Sequence, residues 1–234
     1  LMLRSIALSY QEAFAGLSRP VWILSVASLI NRAGTMVLPF LTLYLTQQRG
    51  FTAAEAGRVL ALYGLGAMAA SFLGGWLCDR FEPRRIMIGS LILTGVGFPL
   101  LGRMESRPAI LAAVLLVSLA GESFRPANAA ALTRASDPAE RTRSFALYRL
   151  AINLGMTLGP TVGGFLALRS YELLFLVDGA TCLLAAGLLC FAVAATPAPA
   201  ERYPPAPQGD DVAFVQLGAV GELVALELYR GAVD

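Results

Sequence analysis

Six long apolar runs separated by short polar joints set the pattern of this chain. They lie at about 20–46, 54–78, 86–104, 108–132, 143–168 and 172–195. Each is long enough for a helix to cross a bilayer, which takes roughly 20 apolar residues. The first run is too long for a signal-peptide core and has no cleavage site after it, so it is expected to be a retained helix. The pattern changes after Thr196. Residues 197–207 are rich in Pro and Ala and read as an extended linker. Val212 to Tyr229 is apolar in places but broken by Gln216, Glu222 and Glu227, which fits a short amphipathic helix better than a seventh span. The expected organisation is a transmembrane unit over 1–196 and a cytoplasmic linker and amphipathic tail over 197–234.

Within the runs, small residues recur every fourth position. Gly66, Ala70 and Gly74 share one face of the second span; Ala151, Gly155, Gly159, Gly163 and Ala167 share one face of the fifth. Such faces let another helix approach closely. Pro39 predicts a kink in the first span. Ser136 and Glu140 resemble a capping box opening the fifth.

Composition sharpens the class. The chain is 56% hydrophobic and 15% charged, too apolar for an ordinary soluble domain. Every base is Arg and there is no His, which excludes His ligands, His proton relays and Ser–His catalysis. Cys78, Cys182 and Cys190 lack CxxC spacing and read as membrane thiols. With no paired catalytic acids either, an intramembrane enzyme is not expected, and no cofactor, metal or nucleic acid is implied. Arg residues cluster in alternate joints. Arg4, Arg19, Arg80, Arg84, Arg85, Arg134, Arg141, Arg143, Arg202 and Arg230 would lie on one side; Arg49, Arg58, Arg103, Arg107 and Arg169 on the other. This imbalance places both ends in the cytoplasm.

Several charges lie inside the apolar runs. Arg32, next to Asn31, is near the middle of the first span; Glu122 and Arg125, three apart, are in the fourth. A mid-bilayer charge costs about 2.5–3.5 kcal/mol even on lenient scales, so it needs a cavity or a partner. Glu122 and Arg125 fit a self-neutralising structural pair or a substrate or proton site equally well. Asn128 predicts a hydrogen bond between helices, and Arg149 and Asp178 predict structural pairings.

The joint between the second and third runs reads Gly74-Gly75-Trp76-Leu77-Cys78-Asp79-Arg80-Phe81-Glu82-Pro83-Arg84-Arg85. It resembles the loop between helices 2 and 3 of the major facilitator superfamily, with Gly75, Asp79, Arg80, Arg84 and Arg85 fitting the pattern. Glu82 stands where that pattern has Gly, and Pro83 adds a residue. The fifth span carries Gly155-x-x-x-Gly159-Pro160-x-x-Gly163-Gly164, which is similar to the superfamily's antiporter motif. The Arg that proton-coupled members carry early in helix 4 is replaced by the apolar stretch Ala112–Val117. The resemblance covers about residues 20–196 and implies an all-α membrane protein: a six-helix bundle of two inverted three-helix repeats, half of a major facilitator fold. It implies a gating role for the Asp79–Arg85 joint, a central cavity touched by Asn31, Arg32, Glu122 and Arg125, and packing of the two small-residue faces against a second half.

The function expected is secondary active export of a small molecule by alternating access, with drug/proton antiport as the coupled form. The lipid bilayer, in a bacterial inner membrane, and a missing C-terminal half or second six-helix unit are the expected partners. A non-transporting scaffold or receptor, or an inactive transporter fragment, is the alternative.

Overall fold

A computed structural model describes residues 14–194, with no strand among them. The linker and tail expected at 197–234, and Arg4, lie outside the described residues. The helices are α1 (Arg19–Ala33), α2 (Val37–Gln48), α3 (Ala53–Arg80), α4 (Pro83–Arg103), α5 (Arg107–Glu122), α6 (Phe124–Ala135), α7 (Arg141–Arg169) and α8 (Tyr171–Ala194). Together they form six helices long and apolar enough to cross a membrane, α1 with α2 and α5 with α6 each making one broken span.

Local chemistry sets the span ends. Pro20, Pro83, Pro108 and Pro138 stand in first turns, where the missing N–H has no partner to lose. Thr52 and Glu55 form a full capping box on α3: the Thr52 N–H donates to Glu55 Oε2 at 2.8 Å, and the Glu55 N–H donates to Thr52 Oγ1 at 3.3 Å. The capping box expected at Ser136 is not formed. Its hydroxyl donates back to Leu132 O at 2.7 Å, and Pro138–Glu140 winds as a 3₁₀ turn ahead of α7.

The bundle is built by exchange between two triplets, the first three spans and the last three. The first span packs on α7 and α8, while α5 of the fourth span packs on α3 and α4. α4 and α8 pack on each other. Swapping the two triplets leaves this scheme unchanged, as expected of two inverted repeats. α4 and α8 cross at Gly95 and Gly179, so closely that a Cβ on Gly179 would lie 2.6 Å from Gly95 O. One apolar core gathers Leu24, Met87, Phe124 and Leu189; a second gathers Leu41, Leu45, Phe98, Ile110 and Phe175.

This exchange corrects the expectation that the small-residue faces meet a second half. Both are used inside this bundle. A Cβ on Gly155 would lie 2.6 Å from Arg32 Cβ and 2.9 Å from Ala33 N, and one on Gly159 3.0 Å from Arg32 O. A Cβ on Gly163 would lie 3.0 Å from Met36 Cβ. The α7 stripe is therefore the bed of the first span. On α3, Gly66 faces Ser118, and a Cβ on Gly74 would lie 2.5 Å from Pro126 Cγ. That stripe is the bed of the fourth span.

Candidate functional site

The two broken spans are the first members of their triplets, and they break at matching places. Ala-Gly followed five residues later by Pro occurs at Ala33-Gly34 with Pro39 and again at Ala120-Gly121 with Pro126. A proline ring conflicts with the carbonyl four residues before it, which here belongs to Thr35 and to Glu122. The breaks fall there: Gly34–Met36 separates α1 from α2, and Ser123 separates α5 from α6. The kink expected at Pro39 is thus displaced to the preceding turn, and Pro39 itself stands in the first turn of α2, where no N–H is needed. Pro99 and Pro160 are carried inside α4 and α7 without ending them.

Each break is braced by a threonine from the third span of the opposite triplet. Thr181 on α8 lies against Gly34, with its Cβ 2.7 Å from where a Gly34 Cβ would be. Thr94 on α4 lies against Gly121, its Oγ1 3.3 Å from the equivalent point. The first break is the wider and leaves backbone N–H groups of α2 without helical partners. Asp178, 2% exposed, supplies them: its Oδ2 accepts from Met36 N at 3.1 Å and Val37 N at 3.0 Å. The pairing expected of Asp178 is therefore with backbone, as the cap of a half-helix in another span.

Polar side chains collect around these breaks. Glu122 Oε1 accepts the Tyr63 hydroxyl at 3.3 Å, and its Oε2 lies 3.4 Å from Arg125 Nη1. The Glu122 side chain is 13% exposed and that of Arg125 61%, so the pair is screened on one side only. Arg32 is 9% exposed, and its side chain makes no hydrogen bond or ion pair among the described residues. Its nitrogens are not sealed against solvent either. Tyr63 and Glu122 thus join the second span to the fourth, while Arg32 stands on the first span just before its break. Asn31 engages the sixth span, its Nδ2 donating to Cys182 Sγ at 3.6 Å. Asn128 makes its expected contact between helices, donating to Ser28 Oγ at 2.7 Å.

Tyr63 was not singled out by sequence reading. The available signal was its place three residues before Gly66, on the face that packs against the fourth span.

The five residues of the joint do different things. Gly75 has open space where a Cβ would project. Asp79 is exposed and bonds to nothing among the described residues; its neighbour Arg80 stacks on the Trp76 ring with its Cζ 4.1 Å from the centroid. Arg84 Nη2 donates to Leu189 O at 3.1 Å and Cys190 O at 2.9 Å, closing carbonyls near the end of α8. Arg85 Nε lies 3.6 Å from Glu82 Oε2, both side chains mostly exposed. In the other motif, Gly155, Gly159 and Gly163 touch the first span, Pro160 stays within α7, and Gly164 faces only Phe40 Cζ, 3.6 Å from a built Cβ.

Comparison with known proteins places this architecture. The chain is 29% identical over 168 residues to the multidrug resistance protein MdtH of Aeromonas salmonicida (strain A449), covering 71% of this chain and 41% of that protein. It is 35% identical over 153 residues to an uncharacterized MFS-type transporter of Mycobacterium tuberculosis, covering 64% of this chain and 36% of that one. Among solved structures, the peptide transporter POT in complex with sulfate superposes with a TM-score of 0.70 at 20% identity, over 92% of this chain and 46% of that chain. The chain thus spans less than half the length of these relatives. The family model of the Major Facilitator Superfamily matches residues 21–230. With six membrane-crossing helices in two exchanged triplets, and a sequence match over most of its length, the chain belongs to the major facilitator superfamily.

Proposed function

We propose that this chain is the six-helix half of a secondary active transporter that exports a small molecule by alternating access, with protons as the coupling ion. The observation that carries the reading is the pair of breaks at matching positions of the two triplets, with Arg32 beside one and Glu122 at the other. Interrupted helices at the interface of inverted repeats are where transporters place substrate and coupling-ion sites. Glu122 is the proton carrier in this reading. Its carboxylate is tied to a phenol and a half-exposed guanidinium, both of which tolerate a change of charge better than a buried ion pair would.

The Asp79–Arg85 joint is the gate. Asp79 stands in the last turn of α3 as an unbonded carboxylate, and Gly75 presents an open face, so both are free to meet a body outside this bundle. That body is a second six-helix unit, which the half-length match to full transporters also favours. The Arg-rich joints face the cytoplasm of a bacterial cell, with the bundle in its inner membrane. The name of the MdtH relatives supports drugs as the exported class.

Reconstitution in liposomes tests this directly. The purified chain is sized in detergent, reconstituted, and assayed for uptake of a fluorescent drug panel with and without an imposed pH gradient. Gradient-driven flux from a dimer or larger assembly is the expected result. A monomer that transports would remove the need for a second unit. An assembly that inserts, folds and moves nothing under any gradient would favour a non-transporting scaffold.

A further inference from the structure

Resting on the transport reading, we infer that the substrate carries a carboxylate or phosphate group, and that the Arg32 guanidinium binds it near the middle of the bilayer. Arg32 is the thirteenth residue after Arg19, where the first span begins. At 1.5 Å per residue that is roughly 20 Å along the helix. This is deeper than an arginine stem reaches to a headgroup layer, so snorkelling does not solve the charge.

The acids at the two breaks, Asp178 and Glu122, are committed elsewhere. Asp178 Oδ2 receives two backbone N–H groups of α2. Glu122 is held by Tyr63 and Arg125. Arg125, inside the fourth span, already has its acid. Arg32 is left as a base at least nine-tenths buried, with no acid within ion-pair distance among the described residues and a guanidinium that is not sealed by protein.

A charge left in that state is unstable unless an anion reaches it. The planar fork of Arg fits carboxylate and phosphate oxygens two at a time. Gly155 makes the placement workable, since any side chain there would meet the Arg32 stem.

The test uses the full 234-residue chain in detergent and four probes of one frame: benzoate, phenyl phosphate, benzamide and benzylamine. Binding is read by calorimetry and by the shift in thermal unfolding. The two anions are expected to bind roughly ten- to hundredfold more tightly than benzamide or benzylamine, the difference a charge-assisted contact makes. Arg32→Gln should abolish that preference and Arg32→Lys keep part of it. Benzoate bound no better than benzamide by the unaltered chain overturns the assignment, whatever the variants do; so does wild-type benzoate affinity in Arg32→Gln. Benzoate affinity should be equal in phosphatidylcholine and phosphatidylglycerol micelles. Displacement by phosphatidylglycerol would assign the anion to lipid and overturn the substrate assignment. Flux of labelled benzoate and benzamide in liposomes separates the two readings. Anion binding without flux sinks transport and keeps the site; flux without preference for the anion sinks the site and keeps transport.

Discussion

Asp178 on α8 holds Val37 at the start of α2: its Oδ2 accepts the Val37 N–H at 3.0 Å, and the Met36 N–H at 3.1 Å. A helix start has donors without helical partners, and water cannot serve them in a packed membrane interior. Asp178→Leu should therefore destabilise the bundle by about 1–3 kcal/mol for the Val37 N–H it leaves bare, while the Met36 N–H keeps Gly34 O at 2.6 Å. Asp178→Asn keeps an acceptor and should lose distinctly less. Thermal unfolding in detergent checks this; equal midpoints for the two variants would mean that the cap contributes nothing.

Gly155 and Gly75 both belong to recognised motifs, yet they should behave oppositely. A Cβ on Gly155 meets backbone of α1 at 2.9 Å, so Gly155→Ala must push two helices apart. A Cβ on Gly75 meets nothing. We expect a lowered unfolding midpoint for Gly155→Ala and an unchanged one for Gly75→Ala. If Gly75→Ala nonetheless lowers flux in liposomes, its open face contacts another body.

Asp79→Asn should leave stability unchanged and reduce transport. The carboxylate makes no bond inside this bundle, so its removal breaks nothing there. Flux and unfolding measured on the same preparation decide the matter. Undiminished flux would return Asp79 to the role of a plain surface charge.

Glu122→Gln should uncouple transport from the pH gradient and leave substrate binding measurable. The amide still accepts from Tyr63 but carries no proton to release. Substrate counterflow without a gradient should survive. Full gradient dependence in the variant would place the coupling group elsewhere.

Cysteine labelling reads the orientation. With Cys190 replaced, because it is the exposed native thiol, single cysteines at Gly50, Ser106 and Ser170 should react with an impermeant reagent added outside intact cells. All three lie at the Arg-poor end of the spans. Reaction only after the membrane is opened would invert the topology.

Much of this fold was legible because membrane helices advertise themselves. Each run had to satisfy its backbone internally and show apolar side chains to lipid, so the spans from Arg19 to Ala192 follow hydropathy to within a few residues. The small-residue stripes were also plain, but their partners were not. Spacing shows that Gly155, Gly159 and Gly163 want a close neighbour; it does not say that the neighbour is the first span. The same holds for Asp178, whose partners are two backbone N–H groups 141 and 142 residues away and so leave no trace in local pattern. The fourth-span pair Glu122–Arg125 was legible because it is local. The repeated Ala-Gly and Pro at 33–39 and 120–126 could have revealed both breaks, had the two triplets been compared with each other.

The exchange of partners between triplets has a consequence for biosynthesis. When Val37 leaves the ribosome, the carboxylate that will cap it is 141 residues behind. At roughly 5–20 residues per second that is about 7–28 s. During this interval the first span has neither α7 nor α8 to lie on, Arg32 has no Gly155 groove, and the start of α2 has bare N–H groups. The first three spans cannot close on themselves, because the first one's bed belongs to the other triplet. Assembly of this bundle is therefore late and concerted, with the sixth span arriving as the piece that lets the first one settle. Until then the early spans need a sheltered, hydrated place beside the insertion machinery.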